Sequence, residues 1–381
     1  MKKLLVVLVA LLALTVSCRK LNEIRKDLRD FTQVNLVDNN GKYNATHMDT
    51  TLMNAWGLAF SSGGTPWVNS NGGGVSEVYT AEGALIPARP AVNIPTSTDT
   101  MGGNPTGIVF AGGKGFRLSN GSAAAFLFVA ENGILSGWNG GAGNNAIKIR
   151  DLSPNASFKG LAISSWGTNN YIYATDFKSN RIVVWDTGFA NVSMPFKDPA
   201  IPAGYSPFNI QAIGGWLFVT YAKVGPDGDD VKGPGNGFVS IFKPDGSFVS
   251  RFASNGPLNS PWGVAAAGEK FLDANDMGDD EGHNKSVNSS GSDSHHEGMD
   301  GGLHQDSVIL VGNFGDGRIN VYSLQGLFLG QLQSHKHTIV IEGLWALVFP
   351  PTTSTIDKGR LYFTAGPNDE QDGLFGYLIK Q

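Results

Sequence analysis

The chain has 381 residues and a formal net charge of -5, so its overall electrostatics give no reason to expect a nucleic-acid partner. Charged residues make up only 16% of it, aromatic residues 10%, and 51 residues are glycine. That mixture suits many short strands joined by tight turns and excludes a disordered chain. The single cysteine, Cys18, rules out an intramolecular disulfide and a cysteine-ligated zinc site.

The chain begins with a short basic region, Met1-Lys2-Lys3, followed by an apolar run from Leu4 to Leu14 that is short for a membrane span. Thr15-Val16-Ser17 then forms a small-residue approach to Cys18. This arrangement resembles a bacterial lipoprotein signal, and the resemblance implies cleavage before Cys18 and lipidation of its thiol. Residues 1–17 are then a signal peptide and residues 18–30 a charged tether, with Leu21, Ile24 and Leu28 at helical spacing. The expected location is the cell envelope, outside the cytoplasm, as a periplasmic or outer-membrane lipoprotein that meets the membrane only through its lipid anchor.

Residues 31–37, Phe-Thr-Gln-Val-Asn-Leu-Val, alternate with period two and read as a strand with no partner beside it in sequence. From Trp56 onward the chain repeats. Strand openings built like Trp56-Gly57-Leu58-Ala59-Phe60 recur around Gly107, Gly160, Asn209, Gly263 and Gly343, at spacings of 50, 53, 49, 54 and 80 residues. Second strands end on the column Ser70, Glu131, Asp176, Tyr221, Asn313 and Ala365, and third strands on Tyr79, Trp138, Trp185, Phe242 and Tyr322, with Tyr377 near the C-terminus. Fourth strands are expected at 84–94, 146–152, 192–196, 247–252 and 327–332. In the cleanest copy, Asn313-Phe314-Gly315-Asp316-Gly317 supplies turn residues that tolerate positive φ between two β-rich runs.

Six units of about fifty residues and four strands predict an all-β chain, a six-bladed β-propeller. The sixth unit lacks a fourth strand, and residues 31–37 are the natural segment to supply it and close the ring. A single propeller domain is therefore expected over residues 31–381. The long last spacing holds an insertion at 274–306, rich in Asp, Gly, Ser and His and expected to be disordered.

Residues 173–182, Tyr-Ala-Thr-Asp-Phe-Lys-Ser-Asn-Arg-Ile, resemble part of an NHL repeat. Longer stretches, at 54–60, 203–211, 312–320 and 362–370, resemble an uncharacterised family of secreted bacterial propellers, some members of which carry a PEP-CTERM sorting tail. The resemblance implies the fold and export, and no defined activity.

Candidate functional residues follow from placement. Asn54, Asn104, Asp176, Asn209 and Glu342 fall where the first strands begin or the second strands end, so they are expected around one mouth of the central channel as ligand-binding residues. Asp176 and Asn313 have a plainer reading too, since Asp and Asn at strand ends bond the backbone of the following turn. Lys159 and Glu342 share one column on opposite blades, which suggests that they face each other across the channel. Asp227, Asp229 and Asp230 offer carboxylates for a hard cation such as Ca2+. His283, His295, His296 and His304 sit in the insertion without the spacing of a defined metal site. No common catalytic signature is present, so catalytic residues are unassigned.

The reading is thus an exported, lipid-anchored, monomeric propeller that binds an unknown ligand or protein through one face of its ring. The alternative is a divalent-cation-dependent, lactonase-like hydrolase with its site in the channel.

Overall fold

Each inner strand approaches its neighbour so closely near the axis that a side chain has almost no room. A Cβ at Gly57 would lie 2.1 Å from Thr106 O, one at Gly107 2.4 Å from Leu161 N, and one at Gly263 2.6 Å from Trp345 O. In the computed structural model, which describes residues 28–272 and 307–381, this convergence organises a ring of six sheets, antiparallel except for the two-residue strand His47–Met48, which runs parallel to Phe31–Asp38 at the edge of the last. The signal segment 1–17, Cys18, most of the tether and the insertion 274–306 with its histidines lie outside the described residues.

The first blade is Ala55–Phe60, Pro66–Ser70, Val75–Val78 and Val92–Asn93, and the second is Pro105–Phe110, Phe126–Ala130, Ile134–Trp138 and Ile147–Asp151. The third holds Phe158–Trp166, Asn169–Asp176 and Arg181–Asp186; the fourth, Tyr205–Ile213, Trp216–Lys223, Phe238–Phe242 and Phe248–Ser254. The fifth is Pro261–Ala267, Val308–Asn313, Ile319–Ser323 and Phe328–Gln331. The sixth, Leu344–Val348, Leu361–Ala365 and Leu374–Lys380, is completed by Phe31–Asp38, which pairs antiparallel with its last strand from Phe31↔Lys380 to Asp38↔Leu374. The ring therefore closes through the N-terminal strand, as the unpartnered alternation at 31–37 predicted.

Two expected strands differ. Residues 192–196 form no strand, so the third blade has three. Val192 N still donates to Val184 O at 2.9 Å, but Pro195 has no N–H to continue a ladder, and Phe196 takes φ 27°. The fourth strand of the first blade shrinks from 84–94 to Val92–Asn93, behind an isolated bridge between Tyr79 and Leu85.

Every inner strand shifts register against its second strand close to the reference position, for example between Ala55 and Leu58 and between Pro105 and Ile108. Such bulges bend the strand toward the axis. Side chains then tie blade to blade. Asn69 Nδ2 donates to Thr106 O at 2.9 Å, Thr106 Oγ1 to Phe158 O at 2.8 Å, and Thr175 Oγ1 to Phe208 O at 3.1 Å. Asn209 Nδ2 donates to Trp262 O at 2.8 Å, and Thr364 Oγ1 to Trp56 O. At the remaining junction the column residue is Gly312, against which Leu344 and Leu347 pack. Outside this polar ring, apolar clusters fill the gaps between consecutive blades, such as Val129, Phe158, Leu161 and Trp185 between the second and third. Among the described residues no helix is long and apolar enough to cross a membrane.

Between the closing strand and the first blade lies a buried acid pair. The Thr51 hydroxyl is 2.6 Å from Asp49 Oδ1 and 2.5 Å from Glu77 Oε1, and Tyr79 donates to Asp49 Oδ2 at 2.8 Å. Thr51 has one hydrogen to give, so the complete network has Thr51 donating to Asp49 and a protonated Glu77 donating to Thr51. Burial, with a smaller push from Asp49 and against the Thr51 bond, raises the Glu77 pKa to about 7. A folded value above the unfolded one means that the associated stability is present below the ordinary glutamate value and is lost as pH rises through about 7. Glu77→Gln, whose amide donates as the protonated acid does, should be as stable as the parent at pH 4. At pH 8 it should be more stable, by on the order of 2 kcal/mol, in denaturant unfolding at the two pH values. An equal stability difference at both would show that Glu77 does not carry the proton.

Candidate functional site

At the end of the ring where the inner strands begin, six aromatic side chains close the channel. Trp56 stacks on Trp345 with ring centroids 3.6 Å apart, Phe314 stacks on the same indole at 3.8 Å, and Trp262 meets Trp345 edge-on at 6.0 Å. Phe177 and Phe208 extend the layer, and all six rings are buried. Beneath them the channel narrows to a cavity of about 20 Å3 lined by Gly57, Gly107, Asn209, Trp262 and Gly263 among others, which is room for a water molecule and little more. Any ligand at this end therefore sits above the aromatic layer.

Above that layer lies a cluster of charges. Lys159, from the start of the third inner strand, is 4% exposed and binds Glu131 Oε1 and, at 3.1 Å, Asp229 Oδ1. Its ammonium stands 5.1 Å from the centroid of Trp56. Burial alone would lower its pKa, but the carboxylates of Glu131 and Asp229 outweigh that and hold it above the ordinary lysine range. Asn71 Nδ2 donates to the second oxygen of Glu131 at 2.9 Å, and Lys232 lies 4.3 Å from the ring centre of Phe314.

Glu370 completes the cluster from the sixth blade. Asn54 links it to the aromatic layer: Trp345 Nε1 donates to Asn54 Oδ1 at 2.8 Å, and Asn54 Nδ2 donates to Glu370 Oε2 at 2.7 Å. Burial raises the Glu370 pKa, assisted by Glu131 and opposed by the Asn54 bond, Lys159 and Lys232. Asp230 is raised too, first by burial and then by Asp229, against Ser260, Lys159 and Lys232. The backbone that presents Glu370 is strained, since Asn368, Asp369 and Glu370 take φ of 57°, 49° and 65° in succession. Asn and Asp enter the left-handed region readily, but a residue such as Glu370 costs about 1 kcal/mol or more there, and such sites persist only where their surroundings hold them. Here Glu342 Oε1 accepts from Asn368 N at 3.0 Å, and Asn54, itself at φ 47°, holds the carboxylate.

The sequence-selected residues thus have distinct surroundings. Asn54 and Glu342 brace the Glu370 turn. Asn104 is exposed on the rim and reaches Asn71 O at 3.4 Å. Asn209 lies in the channel wall below the rings, bonded to Trp262 O. Asp176 is fully buried in its turn, accepting from Ser157 N, Ser179 N and Arg181 Nε, which is the plainer reading of that column. Lys159 pairs with Glu131 and Asp229, and Glu342 with the Asn368 backbone, so the expected pairing of Lys159 with Glu342 across the channel is replaced.

The acidic loop does not gather its carboxylates. Asp227 caps Asp229 N at 3.2 Å, Asp229 turns to Lys159, and Asp230 packs toward Ser260. Among the described residues, no group of three or more His, Cys, Asp or Glu side chains is arranged to hold a metal ion. Position alone did not single out Glu370 and Lys232. The available signal for Glu370 was Asn368-Asp369-Glu370, three polar residues directly after a strand and Pro367.

No family model matches the chain. It is 30% identical over 363 residues to the Uncharacterized protein L690 of Acanthamoeba polyphaga mimivirus, an alignment that covers 91% of this chain and 86% of the relative. A second protein of the same virus, Uncharacterized protein R648, is 29% identical over 366 residues. Among solved structures, a streptogramin B lyase superposes with a TM-score of 0.50 at 12% identity, covering 92% of this chain and 97% of the lyase. An auxiliary nutrient binding protein from Bacteroides ovatus gives 0.53 at 8% identity, with 92% and 77% covered. At such identities the likeness concerns the fold.

Proposed function

The chain belongs to the family of the mimivirus protein L690, and we propose that it is an exported, lipid-anchored propeller that binds a ligand with a cationic group above the aromatic layer. The strained turn that presents Glu370 carries this reading. A left-handed Glu370 costs stability, and the turn holds its half-buried carboxyl group at a mouth where charges from four blades meet. Titratable groups perturbed by burial and by specific charge partners are a recognised mark of functional sites.

The charge count favours a cationic partner. Glu131, Asp229, Asp230 and Glu370 outnumber Lys159 and Lys232, and the raised pKa values of Asp230 and Glu370 mean that their ionised forms lack full compensation. A ligand ammonium beside Glu370 supplies it. The net charge of -5 agrees with a small or protein ligand and disfavours nucleic acid. Lipidation at Cys18 holds the domain at the cell envelope.

Two outcomes are expected. In thermal unfolding, millimolar 1,4-diaminobutane should raise the Tm by a few degrees, the succinate dianion should not, and Glu370→Gln should abolish the shift. If neither compound shifts the Tm, or both shift it alike, this ligand class is wrong. In a cell fraction, Cys18→Ser should move the protein from the membrane pellet to the soluble phase, and unchanged membrane retention would refute the anchor.

A further inference from the structure

We infer that the third blade is completed by a strand from a partner protein, an extended apolar segment with an acidic side chain that adds along the outer edge of Arg181–Asp186. The third blade ends at that strand, while each of the other blades has at least one strand more. Its edge is covered at one end only, where Val192 N donates to Val184 O at 2.9 Å and Asp186 N to Ala190 O at 3.1 Å. Ile182 lies two residues before Val184 and so directs its backbone groups to the same edge. No strand of the sheet lies beside it there.

The chain leaves the edge after Val192 and opens a groove. Phe196 anchors the departing segment, edge-on to Tyr173 with centroids 5.7 Å apart and tilted against Phe242 at 5.4 Å. Between this segment and the strand edge is a space of about 450 Å3 whose apolar walls are Ile182, Met194, Phe196, Ile201 and Tyr221. That volume takes several side chains of an extended peptide, and pockets for alternate side chains beside a free ladder are the two components of strand addition.

The charges around the groove select the acidic character. Lys197 lines it with an exposed side chain, and Arg181 with one that is already bound to Asp176 at 3.0 Å. The one carboxylate in the lining, Asp198, is already bound by Arg251 at 2.7 Å and by the Ser240 hydroxyl at 2.6 Å, so the ammonium of Lys197 sets the sign that a partner meets. This surface is separate from the Glu370 mouth.

Fluorescence anisotropy with labelled hexapeptides tests the inference on the intact protein. The probe Val-Glu-Val-Thr-Val-Thr should bind saturably, and the same peptide with Lys in place of Glu should bind at least about tenfold more weakly. N-methylation of alternate backbone nitrogens, which removes ladder donors without altering the protein, should weaken the acidic peptide by about tenfold or more. Lys197→Glu should invert the charge preference. No saturable binding, or affinity indifferent to N-methylation or to Lys197→Glu, would overturn the proposal. So would a dimer in sedimentation that the peptide dissociates, since the occupant would then be a second copy.

Discussion

Six strands meeting at one axis set the conditions for everything else in this molecule. Around the axis backbone faces backbone, and a Cβ at Gly57, Gly107 or Gly160 would fall within 2.4 Å of a neighbouring atom. The fourth blade shows how the constraint is met without glycine. Asn209 occupies that position and donates its amide to Trp262 O, turning a steric problem into an inter-blade hydrogen bond. Thr106, Thr175, Thr364 and Asn69 make comparable bonds at other junctions. Because these partners are buried, losing one leaves a backbone carbonyl unpaired at a cost of about 1–3 kcal/mol, so the ring is held as one object.

Directly beneath the aromatic layer the channel has room for little more than a water molecule, so a ligand at that end has to be held at the mouth. There the chain accepts several local costs together: a buried lysine, two carboxyl groups raised by burial, and a left-handed run at 368–370. Groups from other blades meet these costs in part. Glu131 and Asp229 come to Lys159 from the second and fourth blades, and Asn54 comes to Glu370 from the approach to the first. The rigid ring lets separate segments hold one another at this site.

The architecture was legible because its signals are local and repeated. The small-apolar openings, the turn residues after each second strand and the aromatic third-strand ends recur with a fixed grammar, and the unpartnered alternation at 31–37 had only one open edge to fill. The third blade shows where alternation misleads. Val192, Met194 and Phe196 alternate as a strand does and pack against the apolar layer between the third and fourth blades, yet Pro195 and the positive φ of Phe196 take the backbone off the ladder. The mouth was less legible, because sharing a column fixes where a Cα lies and not where a long side chain goes. Lys159 reaches sideways to Glu131 and Asp229 and not across to Glu342. Glu370 acquires its position from a turn conformation that no period in the sequence announces.

The central claim is that the Glu370 turn presents a carboxyl group whose ionisation is opposed by its surroundings and awaits a compensating ligand. The most direct measurement is the titration of the Glu370 side-chain carboxyl by carbon-13 NMR, assigned through loss of its signal in Glu370→Gln. The account predicts a midpoint above that of an ordinary glutamate, rising further in Lys159→Met as a favourable charge is removed. A midpoint at or below the ordinary value, unmoved by Lys159→Met, would contradict it.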